Sequence, residues 1–204
     1  MAKKRAVGNL LALAVLSYLS QRPMHPYELS RTLRDNGDAR SLRFTHGSLY
    51  MVVQQLAKAG FVVERETTRA GQRPERTVYA LTDAGRAELH DWLRELVAEP
   101  QHEYPAFVAA LSFVAALPPS EVLPLLRGRL DRLAAVRAET ETLIEGTRGQ
   151  GVPELFLVEE QYRLALLAAE ATFVEELIGR ITDPHSGWGR MWAEFHGEAF
   201  PVPE

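Results

Sequence analysis

Apolar positions along the chain alternate between a helical and a strand period. From about Val7 to Ser20 the residues are apolar nearly all round, which predicts a first helix that is buried or shared with a partner. "RPMHP" breaks it. Pro26 suits a first helical position, and a second helix is expected from Tyr27 to about Asp35 with Leu29 and Leu33 inward. "NGDARS" is rich in turn residues. In "FTHGSLYMVVQQLAKAG" (Phe44 to Gly60), Leu49, Val53 and Leu56 define one inward stripe with Val52 beside them, and Gly60 has the place of a C-terminal cap.

The period then shifts. Phe61 to Thr67 and Arg76 to Leu81 are rich in β-branched and aromatic residues, and the turn residues Gly71 and Pro74 lie in "TRAGQRPE" between them. This predicts a two-stranded hairpin with a long tip. Thr82 is placed to cap a fourth helix, Asp83 to about Val97, on which Leu89, Leu93 and Leu96 recur at helical spacing. Three helices, a hairpin and a helix follow the order of a winged helix-turn-helix. Residues 1–97 are therefore expected to form that domain, and residues 98–204 an all-helical one, giving a mostly α protein.

In the second part "YPAFVAALSFVAAL" reads as a short helix. From Ser120 to Glu145, Leu123, Leu126, Leu130 and Leu133 repeat at a spacing that suits a coiled-coil-like seam. After the break "GTRGQGVP", a stripe of Leu155, Val158, Tyr162, Leu166, Ala169, Phe173 and Leu177 marks a second long helix to about Ile181. The two are expected as an antiparallel pair or a dimer arm. "HSGWGRMWAEFHGEAF" is expected to form a short docked helix.

Charge divides the chain in the same place. The first 96 residues carry 15 Lys and Arg against 10 Asp and Glu, and the remaining 108 carry 8 against 17. A basic front half points to a polyanion as its partner. Cysteine is absent, which excludes disulfides and thiolate chemistry and fits a cytoplasmic protein. "MAKKRAVGNLLALAVLSYLS" has the basic start and apolar run of a secretory signal. No clear small-x-small site follows, and the run falls short of the ~20 residues that span a bilayer, so a buried helix and no membrane partner are expected.

On the third helix Gly47, Met51, Gln54 and Lys58 fall opposite the apolar stripe, flanked by Ser48 and Tyr50. Glycine is poor for helix stability and an exposed methionine gains nothing from water, so this face makes sense against another molecule. Gly47 permits close backbone approach to a phosphate, Met51 suits a thymine methyl, Gln54 pairs with adenine, and Ser48 and Tyr50 reach phosphates. The alternative is an N-terminal turn glycine beside an ordinary exposed methionine. The hairpin tip decides between them: Arg69, Arg73 and Arg76, with Arg65 nearby, sit where a wing reaches along a DNA backbone.

"MHPYELSRTLRD", "GSLYMVVQQLAKAGFV" and "RPERTVYALTDAGRAEL" resemble the matching stretches of the PadR family of bacterial transcriptional regulators, over about Gly8 to Leu96. The helical remainder resembles the longer PadR subfamily, whose C-terminal helices dimerise. This resemblance implies a homodimeric winged helix-turn-helix repressor on inverted-repeat double-stranded DNA operators. It places Tyr27 of "PYEL", Ser48 and Tyr50 of "GSLY" and the wing arginines at the family's matching positions, while His46 stands where the family varies. In some relatives an aromatic residue on the fourth helix stacks planar drugs at the dimer interface. That role would fall to Trp92, with Phe107, Phe113 and Phe173 lining the cavity and Tyr162 near the same junction. Core packing is the alternative for each ring. The expected effector is small, apolar and aromatic.

Other chemistry is not expected. The six histidines form no H-x-x-x-H or H-E-x-x-H pattern, so no metal site is expected. "GTRGQG" lacks the lysine and Ser/Thr of a phosphate-binding loop, and Glu159–Glu160 and Glu175–Glu176 read as solvated helix faces. Neither an enzyme nor a cofactor is expected. The rival to a DNA-binding regulator is a helical protein-interaction module that keeps a winged domain without specific DNA recognition, and it would not need a basic wing.

Overall fold

The computed structural model describes residues 5–65, 77–185 and 188–198. The chain forms two compact units, residues 1–103 and 104–204. The first contains α1 (Leu10–Gln21), α2 (Pro26–Asp35), α3 (His46–Lys58), β1 (Val62–Arg65), β2 (Val78–Leu81) and α4 (Asp83–Ala98). The second contains α5 (Ala106–Ser112), α6 (Pro119–Gly149), α7 (Val158–Thr182) and α8 (Trp188–Phe195). The fold is mostly α with one antiparallel two-stranded sheet.

Helix α1 is the floor of the first unit. Leu11, Ala12, Val15, Leu16 and Leu19 are buried, and the helix packs on α3, α4 and β2. It starts three residues later than its apolar run predicts, because the Asn9 side chain accepts the Leu11 N–H and caps it. Helix α3 buries Leu49, Val52, Val53 and Leu56, the stripe expected from the sequence. Its exit is a Schellman motif. Gly60, at φ 76°, lets its own N–H reach the Ala57 carbonyl while the Phe61 N–H reaches Leu56.

The hairpin pairs Val62 with Leu81 and Arg65 with Val78. It is tied to the entrance of α2 by a bridge the sequence did not signal: Met24 and Tyr79 exchange backbone hydrogen bonds of 3.0 Å. The Tyr79 hydroxyl donates to Glu64 across the sheet, and burial, then that carboxylate, pushes its pKa up. Thr82 caps α4 by accepting the Gly85 N–H, and its own hydroxyl lies 2.7 Å from the Gly60 carbonyl oxygen and 3.0 Å from that of Phe61.

In the second unit α6 and α7 run antiparallel, as the ion pairs Arg129–Glu170 and Arg148–Glu154 show. Val122, Leu123 and Leu126 meet Val174, Leu177 and Ile181 at one end. The tail helix α8 docks there as expected: Trp192 is buried and its indole N–H donates to the Leu117 carbonyl at 2.9 Å.

Two expectations require correction here, and one alternative is narrowed: most of the α7 stripe does not face α6, since Leu155, Val158, Tyr162, Leu166 and Phe173 are exposed and of its larger residues only Leu177 is buried. Glu160 is not on a solvated face. It is buried and paired with Arg163 at 3.0 Å, while Thr140 of α6 is fully buried. Helix α6 continues through Thr147 and Gly149, so the break comes later than "GTRGQG" indicates. The inward face of α7 holds buried Glu160 near its start and Val174, Leu177 and Ile181 near its end, so it is a different face from the one the apolar spacing marks.

Candidate nucleic-acid interface

The outward face of α3 carries the residues selected from the sequence. Gly47, Met51, Gln54 and Lys58 are exposed, and Met51 is 62% accessible. Tyr27 on α2, 61% accessible, lies on the same side of the unit, because its ring meets His46 of α3. A Cβ added at Gly47 would meet nothing nearer than the Thr45 hydroxyl at 3.9 Å. Packing within the protein therefore does not require glycine there.

Ser48 has a different immediate task. It forms a capping box with Thr45: the Ser48 N–H donates to the Thr45 hydroxyl at 3.1 Å, and the Thr45 N–H donates to the Ser48 hydroxyl at 2.8 Å. Its oxygen sets the start of α3 before it reaches anything outside. Tyr50 is half-buried, with its ring 5.0 Å from that of His46 and 6.2 Å from that of His25.

His25 and His46 were not among the residues selected from the sequence. His25 caps α2, its Nδ1 accepting the Tyr27 N–H at 3.0 Å, which fixes that nitrogen as unprotonated. The four rings link α2 to α3 in the order Tyr27, His46, Tyr50, His25, and the hydrogen bond from Tyr27 to His25 closes the circuit. The four-residue spacing of His46 and Tyr50 was a readable signal of a shared helix face. Arg43, just before the α3 cap, is also exposed, as is Arg65 at the base of the wing. Arg69, Arg73 and Arg76 lie outside the described residues.

The effector candidates separate. Trp92 belongs to the core of the first unit, 5% exposed, with the Arg5 guanidinium 5.1 Å above its ring. Arg5 also pairs with Glu88, Asp91 and Glu95, which share one face of α4. Burial disfavours its charge, but the hydrogen bonds it donates to the three carboxylates outweigh that and raise its pKa. Phe107, Phe113 and Phe173 belong to the second unit. Phe107 is half-buried beneath Arg129, whose guanidinium carbon lies 3.5 Å from the ring centre. Phe113 and Phe173 are exposed, so neither fills the core. A cleft of about 340 Å³ in this unit is lined instead by Val114, Ala115, Trp188, Met191, Trp192 and Phe195. Among the described residues no three His, Asp or Glu side chains group as metal ligands, and no helix is long and apolar enough to cross a membrane.

Three helices, a hairpin bridged to the α2 entrance and an outward α3 face define a winged helix-turn-helix unit. Residues 15–91 match the model of the transcriptional regulator PadR-like family, so this part of the chain is a PadR-like domain. Over 149 residues it is 26% identical to the negative transcriptional regulator PadR of Bacillus subtilis, covering 72% of this chain and 80% of that one. The crystal structure of Bacillus subtilis PadR in complex with operator DNA has a TM-score of 0.68 at 21% identity, over 84% of this chain and 98% of that chain. The same protein in complex with p-coumaric acid gives 0.68 at 19%, with the same coverage. The virulence activator AphA of Vibrio cholerae gives 0.63 at 17%, over 84% of this chain and 97% of that one. At these identities the structural likeness is one of fold. The relatives named are regulators, not enzymes.

Proposed function

We propose that the protein is a cytoplasmic homodimeric repressor that binds an inverted-repeat operator in duplex DNA and is released by a small aromatic effector. The observation that carries DNA binding is the α3 face, where Met51, Gln54 and Lys58 stand exposed beside a glycine that packing does not require. Gln54 reads an adenine edge, Met51 meets a thymine methyl, and Lys58, Tyr27, Tyr50 and the wing residues Arg69, Arg73 and Arg76 position the backbone. Ser48 contributes by holding the start of α3.

The exposed α7 stripe supports the dimer. Val158, Tyr162, Leu166 and Phe173 recur along α7, with Leu155 in the turn before it, and the other side of α7 already covers α6. An apolar row of that length is the mark of a helix seam with a second copy. Two copies present two α3 helices to one palindromic site.

The effector reading is supported by the resemblance to a regulator whose structure holds p-coumaric acid, and by the exposed rings of Phe113 and Phe173. A planar ligand on Trp92 would have to take the place of Arg5. A gel shift with the duplex upstream of the protein's own gene tests the reading. A shifted band that disappears with competing unlabelled duplex is expected, and no shift at low salt would contradict it.

A further inference from the structure

We propose that His46 is itself a DNA-contacting residue, held for that role between Tyr27 and Tyr50. The inference rests on the DNA-binding reading of the α3 face and adds to it a residue that the family resemblance does not supply. His46 is the first residue of α3 and is exposed. Its ring stands edge-to-face with two tyrosines, 5.8 Å from Tyr27 at 76° and 5.0 Å from Tyr50 at 67°. One tyrosine comes from α2 and the other from one turn further along α3, so the imidazole is fixed by both helices of the helix-turn-helix.

An exposed side chain is ordinarily free to rotate, and ordering it on binding costs affinity. Here the ordering is done beforehand. Among the described residues no hydrogen bond or ion pair engages the ring nitrogens of His46, so the packing fixes the ring while its polar edge remains unspent. The capping of α3 does not use it either, since Thr45 and Ser48 satisfy that helix start between themselves. His25 sits in the same circuit but differs in this respect, because its Nδ1 is committed to the Tyr27 N–H.

The partner that fits is an acceptor on duplex DNA, which is a phosphate oxygen or the N7 or O6 edge of a purine in the major groove. Both offer the same chemistry to an imidazole N–H. They differ in consequence: a base contact sets sequence preference at one position, and a phosphate contact strengthens binding to every sequence.

The test uses the full chain and a randomised duplex DNA pool, with wild type, His46→Ala and His46→Phe selected in parallel. The Phe variant keeps a ring between the tyrosines and removes the N–H donors. Thermal melting first establishes that each variant folds. Both variants are expected to bind the wild-type consensus about fivefold more weakly or worse, as for the removal of one hydrogen bond. A base contact also relaxes the consensus at one position, while a phosphate contact leaves the consensus intact and weakens binding to all duplexes alike. If His46→Phe binds as wild type while His46→Ala does not, the ring merely packs and the proposal is wrong. Unchanged affinity in both variants overturns it equally. If wild type enriches no sequence and binds no duplex, the DNA-binding reading itself fails, an outcome distinct from either.

Discussion

A Cβ added to Gly85 would sit 2.0 Å from the carbonyl oxygen of Phe61. That oxygen also accepts the Thr82 N–H at 3.0 Å, so the start of α4, the end of α3 and the wing strands meet at one point. The contact is backbone against backbone and no rotamer change relieves it. Gly85→Ala is therefore expected to destabilise the first unit by about 2 kcal/mol or more, at the upper range of overpacking costs. Urea denaturation followed by circular dichroism measures it, and a variant of wild-type stability would show that α4 does not pack as closely as described.

Arg5 holds together a face of α4 that would otherwise repel itself. Its side chain is 3% exposed and its partners Glu88, Asp91 and Glu95 lie at successive turns. Removing the guanidinium leaves three carboxylates clustered on one face of α4 without it. Arg5→Ala is expected to cost about 2–3 kcal/mol, discounted from the range for fully buried pairs because Asp91 is half in solvent. The loss should shrink in Glu88→Gln/Glu95→Gln backgrounds, and a double-mutant cycle measures that coupling. Additive effects would contradict the clamp.

The α7 stripe predicts an assembly defect without a folding defect. Leu166 and Phe173 are exposed in the single chain, so Leu166→Asp with Phe173→Glu should leave helicity unchanged. Sedimentation is expected to shift from dimer to monomer, and affinity for a palindromic duplex should fall with it. A double variant that remains dimeric would place the seam elsewhere.

Much of the first unit was legible beforehand because local chemistry agreed with the final packing. Leu49, Val53 and Leu56 are inward in both, Gly60 ends α3, and Thr82 starts α4. What the sequence hid were contacts between distant segments, such as Met24 with Tyr79, Arg5 with α4, and Gly85 against Phe61. A glycine inside "TDAGRAEL" carries no sign of the carbonyl it must admit. The α7 stripe was ambiguous for a related reason. An apolar row at helical spacing does not show which surface, if any, of the same chain it meets. Of the proposed site, the exposure of Met51, Gln54 and Lys58 followed from the helix wheel, whereas the His46 packing needed α2 and α3 in place.

The wing predicts a salt effect. Arg73→Ala with Arg76→Ala should weaken binding to all duplexes, and the dependence of log affinity on log salt should flatten by roughly 0.9 for each phosphate that is no longer neutralised. Fluorescence anisotropy at several salt concentrations checks this, and an unchanged slope would remove the wing arginines from the interface.

The most direct test of the account is base preference at Gln54. Labelled duplexes carrying the selected consensus, and single-base changes of it, are titrated with wild type and with Gln54→Ala by fluorescence anisotropy. Wild type should discriminate against replacement of one adenine by about 1–3 kcal/mol, the worth of a bidentate contact, and Gln54→Ala should lose that discrimination at that position alone. If Gln54→Ala keeps the affinity and the full base preference of wild type, the outward face of α3 does not read DNA.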